Sequence, residues 1–235
     1  LLKAVRSLET GVCHIYHKKF DKWSNDDLLA YIKGGTDDRL YAIGQLIRNG
    51  VDLALIYDKT KIDMFFLEKF KNIVEFENVV RAHPMDVETL RAAKRMGFSD
   101  KYIGQLWGLS QNEMYRLREK NNVFPVYKMI DTCASEFASY VPYFYSTYEE
   151  ENESIVSGKE KIIVLGSGPI RIGQGVEFDY STVHAIWSIR AAGYEAIIIN
   201  NNPETVSTDY TTSDKLYFEP LTVEDVMNVT HLEKP

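Results

Sequence analysis

The segment IVLGSGPIRIGQGVEFDYS, from Ile163 to Ser181, carries the clearest fold signal in the second half of the chain. It begins as a short apolar strand, breaks into glycines and then continues as the entry to a helix. Backbone N–H groups in such a strand–turn–helix connection can meet an anion such as a phosphate. The sequence therefore raises the question whether the glycine turn, formed by Gly166, Gly168 and Gly173, holds a nucleotide.

The glycine spacing departs from the dinucleotide fingerprint G-x-G-x-x-G. Arg171 stands where the third glycine is expected, and Gly173 arrives two residues late. The acidic residue expected about 20 positions further on is absent, because the next strand continues into Asn200-Asn201-Asn202. No G-K-[S/T] follows, which excludes a Walker loop. A nicotinamide-dependent oxidoreductase stays open as an alternative, and so does a turn that only shapes a cavity wall.

Residues 160–235 alternate between strand and helix patterns in the order β-α-β-α. KIIVLG and EAIIINNNP have the apolar character of buried strands, and Thr222 is a predicted N-cap of the last helix. This alternation predicts a parallel sheet covered by helices, a partial Rossmann-like subdomain. Two strands are too few for a finished domain, so we expect the missing strands beyond Pro235. The helix between the strands is predicted to end at Gly193 and to bury Val183, Ile186, Trp187 and Ile189.

Polar side chains follow both predicted strands at their carboxyl ends. Ligands of open α/β sheets bind at this edge. The same residues are also compatible with simple caps and turn bonds. They are Arg171, Gln174, Glu177, Asn202, Glu204, Thr205, Ser207 and Asp209.

Residues 1–120 have the pattern of a helical domain. Ser24 and Thr36 are predicted N-caps, and Gly50 is a predicted C-terminal stop. The segment 64–76 carries apolar residues on more than one helical face. Three further short helices follow up to Asn122, and the last two resemble a helix-turn-helix. A DNA-binding regulator is therefore a second alternative, although the last helix mixes acidic with basic residues.

Residues 121–159 form a predicted extended connector, rich in proline and tyrosine and ending in acidic residues. The whole chain has 235 residues and a net charge of −7, and the acidic surplus lies after residue 120. Such a balance argues against nucleic-acid binding. The two cysteines, Cys13 and Cys133, fit a reduced cytoplasmic setting, and no apolar run of about 20 residues is present to cross a membrane.

Long segments of the chain resemble the large subunit of carbamoyl phosphate synthetases. GSGPIRIGQGVEFDYSTVHA, INNNPETVSTDYTTSDKLYFEP and VEDVMNVTHLEKP resemble the start of its second synthetase half. FPVYKMIDTCASEFASYVPYFYSTYEEE is similar to the segment before that half, and residues 1–120 resemble the helical oligomerisation domain. Ser167 and Ile170 depart from the Gly-Gly-Gly-Pro-Asn turn that is frequent in the family. Since the chain starts without Met and stops on Pro235, we expect a piece of a longer protein.

The resemblance implies an enzyme that makes carbamoyl phosphate from bicarbonate, glutamine-derived ammonia and two ATP with Mg or Mn. It implies a small glutaminase subunit as partner, self-association through the helical domain, and a role in arginine and pyrimidine synthesis. Neither ATP-grasp module falls within the chain, so it implies no catalytic residue, no metal and no bound cofactor here.

The resemblance also implies an interior passage that carries carbamate from the first synthetase half to the second. Arg171, Gly175, Glu177 and Glu204 match positions in the wall of that passage. Gly175 matches a position where a small residue leaves the bore open.

Overall fold

The computed structural model describes residues 1–131, 133, 136, 141–171 and 175–235. The described chain divides into a helical unit, Leu1–Val5 with Gly11–Met114, and an α/β unit, Arg6–Thr10 with Tyr115–Pro235. This architecture confirms the predicted α and α/β fold class. Within the described ranges the helices are α1 (Leu2–Ser7), α2 (Asn25–Tyr31), α3 (Arg39–Arg48), α4 (Leu53–Thr60), α5 (Met64–Ala82), α6 (Val87–Arg95), α7 (Asp100–Trp107), α8 (Gln111–Lys120), α9 (Gly175–Ala191) and α10 (Val223–Glu233).

The helical unit is built around α5, which contacts α3, α4, α6 and α7. Local capping residues explain several of its helix starts. Ser24 accepts a hydrogen bond from the backbone N–H of Asp27, as the sequence predicted for α2. The N-cap predicted at Thr36 is wrong, because α3 begins at Arg39 after Asp38. Gly50 adopts φ +78° just beyond α3, which confirms the predicted stop.

Buried charges tie the helices of this unit together. Glu77 on α5 accepts hydrogen bonds from Arg48 Nε at 2.9 Å and contacts His14 Nε2 at 2.9 Å. The ring of Tyr102 stacks on that of His14 at a centroid distance of 3.7 Å. Burial alone would raise the pKa of Glu77, but the hydrogen bonds from Arg48 and His14 outweigh it and lower that pKa. The carboxylate is therefore ionised and paired inside the helical unit.

The α/β unit contains a sheet of five described strands in the order β1-β2-β5-β4-β3. Strands β2, β5, β4 and β3 run parallel to one another, and β1 pairs antiparallel with β2 at the edge. Helix α9 packs on one face through Ile186, and α10 packs on the other through Val229. The strands are β1 (Val126–Met129), β2 (Tyr143–Thr147), β3 (Lys161–Leu165), β4 (Glu195–Asn200) and β5 (Lys215–Phe218).

The sheet is larger than the sequence predicted. Only β3 and β4 were predicted; β5 and the two strands from the segment 121–159 were not. Strand β5 is short and begins with Lys215, a residue that is unusual in a buried strand. Lys215 can be buried here because Glu233, at the end of α10, accepts a hydrogen bond from it at 2.8 Å. Glu233 also accepts one from Lys161 at 3.0 Å. This partner is distant in sequence, so local patterns do not reveal it.

Candidate functional site

The loops that follow β3 and β4 meet at the carboxyl edge of the sheet, as the parallel arrangement requires. In the glycine turn after β3, the N–H of Gly166 donates to the carbonyl of Ile199 at 2.8 Å. Gly168 adopts φ +74°, a conformation that favours glycine. Gly173 and Gln174, which the sequence also placed here, lie outside the described residues.

Asn200 fills the space beneath the glycine turn. Its side chain is fully buried, and its Oδ1 accepts the N–H of Gly168 at 3.1 Å and that of Asn201 at 2.9 Å. A Cβ added at Gly166 would lie 2.5 Å from Asn200 Cγ, so only glycine fits against this amide. In a dinucleotide-binding turn the N–H of Gly168 would face a phosphate. Here it already donates a hydrogen bond to Asn200 within the chain. This contact argues against the nicotinamide alternative.

A carboxylate of the chain also stands next to the turn. Glu9 Oε1 lies 2.6 Å from the position that a Cβ at Gly168 would take. Glu9 Oε2 accepts a hydrogen bond from Arg171 Nη2 at 2.8 Å. Arg171, a predicted passage residue, is therefore engaged in an ion pair with Glu9.

Helix α9 and the loop after β4 border a partly open cavity of about 440 Å³. Its volume falls in the range of small-molecule sites. Gly175, the first residue of α9, opens onto it, because no described atom comes within 4 Å of a Cβ built there. The lining consists of Ile170, Gly175, Val176, Asp179, Tyr180, Val183, His184, Trp187, Asn202, Glu204, Thr205 and Val206.

Of the four predicted passage residues, the structure brings Gly175 and Glu204 together in this lining. Arg171 and Glu177 are exposed and are not part of it. Trp187 was predicted on the buried side of α9; this was wrong, since it is 52 % exposed at the cavity. Val183 and Ile186 are buried as predicted.

Asp179 was missed by the sequence interpretation. It is 7 % exposed, and its Oδ2 accepts the N–H of Ser207 at 3.2 Å. Its Oδ1 is buried and has no hydrogen-bond partner among the described residues. The i, i+4 spacing of Gly175, Asp179 and Val183 was the available signal, since it places Asp179 on the helix face that starts at the glycine.

A second, more open cavity of about 720 Å³ lies on the other side of the same loop. Glu204, Thr205 and Val206 line both cavities, so this short segment forms a wall between them. The hydroxyl of Tyr143 donates to the carbonyl of Thr208 at 2.5 Å and anchors the segment to β2. Burial, together with the charge of Asp209, raises the pKa of Tyr143 to about 12, so its hydroxyl stays a donor at neutral pH.

The described part of the chain does not support a metal site, a DNA-binding site or a membrane-spanning helix. No group of three His, Cys, Asp or Glu residues there is arranged to hold a metal ion. Arg118, one of the basic residues of the helix-turn-helix alternative, is fully buried and donates to Val123 O and Asn228 Oδ1, both at 3.1 Å. It therefore cannot contact a DNA phosphate. No helix among the described residues is long and apolar enough to cross a bilayer.

Comparison with protein families gives two matches, which follow one another along the chain. Residues 1–122 match the oligomerisation domain of the carbamoyl-phosphate synthetase large chain. The chain belongs to the carbamoyl phosphate synthetase large-chain family. Residues 158–235 match the carbamoyl phosphate synthase preATP-grasp domain, so the site described above lies in this second domain of the synthetase family. The resemblance inferred from the sequence is confirmed, and the family is one of ligases.

Proposed function

We propose that the chain is part of the large subunit of a glutamine-dependent carbamoyl phosphate synthetase. The two domain matches in succession support this assignment. The parent enzyme forms carbamoyl phosphate from bicarbonate, glutamine-derived ammonia and two ATP, with Mg or Mn, for arginine and pyrimidine synthesis. It acts in the cytoplasm with a small glutaminase subunit. The 235 residues themselves bind no cofactor and catalyse no reaction.

Within that enzyme, the α/β unit supplies part of the wall of the carbamate passage. The observation that carries this proposal is the cavity at Gly175, where glycine leaves the space open and Glu204 supplies a polar wall. Carboxylates in this wall, such as Glu204, repel an anion at short range. Neutral carbamic acid, in contrast, donates hydrogen bonds to them, so we expect the intermediate to pass in its protonated form.

The test is Gly175→Phe in the complete synthetase. A Cβ at this position meets no described atom within 4 Å, and Gly175 lines the cavity, so the substitution adds its bulk at the cavity wall. We expect the ATP-consuming reaction of each half to continue while carbamoyl phosphate output collapses. Gly158→Phe is the matched control, because a Cβ there is equally free of neighbours and lies outside the cavity. Normal output from Gly175→Phe would contradict the passage role.

The helical unit supplies self-association of the parent. In the sequence, residues 64–76 carry apolar side chains on more than one face of the helix. Two of them, Phe65 and Phe66, are 58 % and 54 % exposed. Leu55 and Tyr57 on α4 are also exposed, at 51 % and 43 %. Exposed apolar side chains of this size, of which Phe65 and Phe66 contact each other, are typical of protein contact surfaces.

Sedimentation of the chain and of a Phe65→Ser, Phe66→Ser double variant tests this surface. We expect association of the unmodified chain to weaken at least about tenfold in the variant, because two large aromatic anchors are lost. Ile155→Ser, which alters a residue that is 74 % exposed in the α/β unit, should leave association unchanged. A strictly monomeric unmodified chain, or equal association of both forms, would refute the assignment.

A further inference from the structure

The cavity beside α9 combines acidic and aromatic side chains. Asp179 and Glu204 supply the acids, and Tyr180, His184 and Trp187 supply the rings. Neither lysine nor arginine occurs among its described lining residues. An electronegative, aromatic and partly apolar cavity is complementary to a cation that carries a hydrocarbon part.

The buried carboxylate of Asp179 is the strongest indication of a ligand. Its Oδ2 has a single described partner, the Ser207 N–H, and its Oδ1 has none among the described residues. A buried charge is costly unless a countercharge or further hydrogen bonds compensate it. This contrasts with Glu233, whose carboxylate contacts two lysines and Tyr217. The arrangement at Asp179 leaves room for a donor that carries positive charge.

The aromatic side chains form a continuous row along the exposed face of α9. The rings of Tyr180 and His184 are 4.2 Å apart, and those of His184 and Trp187 are 5.2 Å apart. Tyr180 is 64 % and Trp187 is 52 % exposed. A planar guanidinium stacks well on such rings and also offers a fork of donors to a carboxylate. The row therefore favours guanidinium over a compact ammonium.

Arg171, just before α9 in the sequence, and Arg190, in its last turn, are engaged elsewhere. Arg171 pairs with Glu9 at 2.8 Å. Arg190, at the end of α9, donates to the carbonyls of Thr211 and Thr212 at 3.1 Å and lies 3.6 Å from Asp214. Neither arginine lines the cavity. The countercharge for Asp179 is thus best supplied from outside the chain.

We propose that this cavity binds a small alkylguanidinium compound. The guanidinium group contacts Asp179 and stacks on the Trp187 and His184 rings, while the alkyl stem lies against Val183 and Val206. The cavity shares Gly175 and Glu204 with the proposed passage wall, but the proposal does not depend on carbamate transport. Binding to the 235-residue chain tests it without any turnover.

The experiment titrates the chain with n-butylguanidinium chloride at constant ionic strength and measures binding by isothermal titration calorimetry. The neutral n-butylurea, which has the same shape, is the control ligand. We expect saturable binding of the cation with one site, accompanied by a change in tryptophan fluorescence, and at least about tenfold weaker binding of the urea. Equal binding of both ligands, or no saturation up to about 10 mM, would overturn the proposal.

Two variants locate the site. Asp179→Asn keeps the side-chain shape and an acceptor for Ser207, and should weaken cation binding at least about tenfold. Trp187→Leu changes a half-exposed side chain and should weaken binding about threefold or more. Glu160→Gln removes the same charge from an exposed position away from the cavity and should bind as the unmodified chain does. Unchanged affinity in both folded site variants, checked by circular dichroism, would contradict the assignment.

Discussion

The two units of the molecule both bury carboxylates, yet they use them differently. In the helical unit, Glu77 is 3 % exposed and is held by Arg48 and His14. In the α/β unit, Glu233 is equally well paired, but Asp179 retains a carboxylate oxygen without a described partner beside a cavity. Burial of an acid therefore does not by itself indicate a binding site, whereas a buried carboxylate oxygen without a described partner beside a cavity points to one.

The exposed aromatic residues differ in the same way. Phe65 and Phe66 lie on the surface of a helix and contact each other edge-on at 5.4 Å. Tyr180 and Trp187 instead border a cavity that also contains acids. The first arrangement offers area to another protein, and the second offers volume to a small molecule.

Removal of the paired acids should produce the largest effect. Glu233→Ala leaves Lys161 and Lys215 buried without their common partner, and Glu77→Ala removes the carboxylate that pairs with the partly buried Arg48. We expect each change to lower the free energy of unfolding of its own unit by about 3–5 kcal/mol. Urea unfolding with hydrogen exchange, followed on peptides of each unit, measures this. Glu150→Ala, at an exposed position, is the control, and a loss below about 1 kcal/mol would show that the buried pairs contribute little.

Two glycines of the site should differ in how well they tolerate a side chain. The expected loss of stability is smaller than that caused by removing the paired acids. Gly166→Ala forces a Cβ to within 2.5 Å of Cγ of the fully buried Asn200. We expect it to destabilise the α/β unit by about 1–3 kcal/mol, as overpacking does. Gly175→Ala meets no described atom within 4 Å and should change stability by less than about 0.5 kcal/mol. Thermal unfolding of both variants checks the difference, and equal stability would mean that the Asn200 contact relaxes freely.

Lowering the pH should produce the smallest of these effects on stability. It should act on the helical unit through protonation of Glu77. Its pKa is lowered in the folded state from an ordinary value of 4.5. A lowered carboxylate pKa contributes stability that is present above that value and is lost as pH falls through the folded pKa. Glu77→Gln should therefore flatten the decline of helical-unit stability below pH 4.5, measured by urea unfolding at a series of pH values. An unchanged slope would show that other groups dominate.

Much of the fold could be predicted from local patterns. The caps at Ser24 and Thr222, the strands β3 and β4 and the buried face of α9 at Val183 and Ile186 follow from residues that are close in sequence. Strands β1 and β2 could not be found, because their pairing with each other and with β5 is set by distant partners. Lys215 in β5 likewise depends on Glu233.

The candidate site was less accessible to prediction. The strand–turn–helix pattern indicated the correct edge of the sheet, and Gly175 and Glu204 do share a cavity there. The role of Asn200 beneath the glycine turn depends on a three-dimensional contact with Gly168, which no spacing rule describes. That one oxygen of Asp179 has no partner among the described residues follows only from the positions of its neighbours in space.

The strand order has a consequence for synthesis on the ribosome. Strand β2, with Tyr143 and Phe144, pairs with β5 only after about 70 further residues have been made. At the usual rates of translation this takes roughly 4–14 s. During that interval the helices of residues 11–114 can already fold, while the edge of β2 that later pairs with β5 remains unpaired. Aggregation of the nascent chain should therefore begin at β1 and β2, and chaperones that shield strand edges should act there.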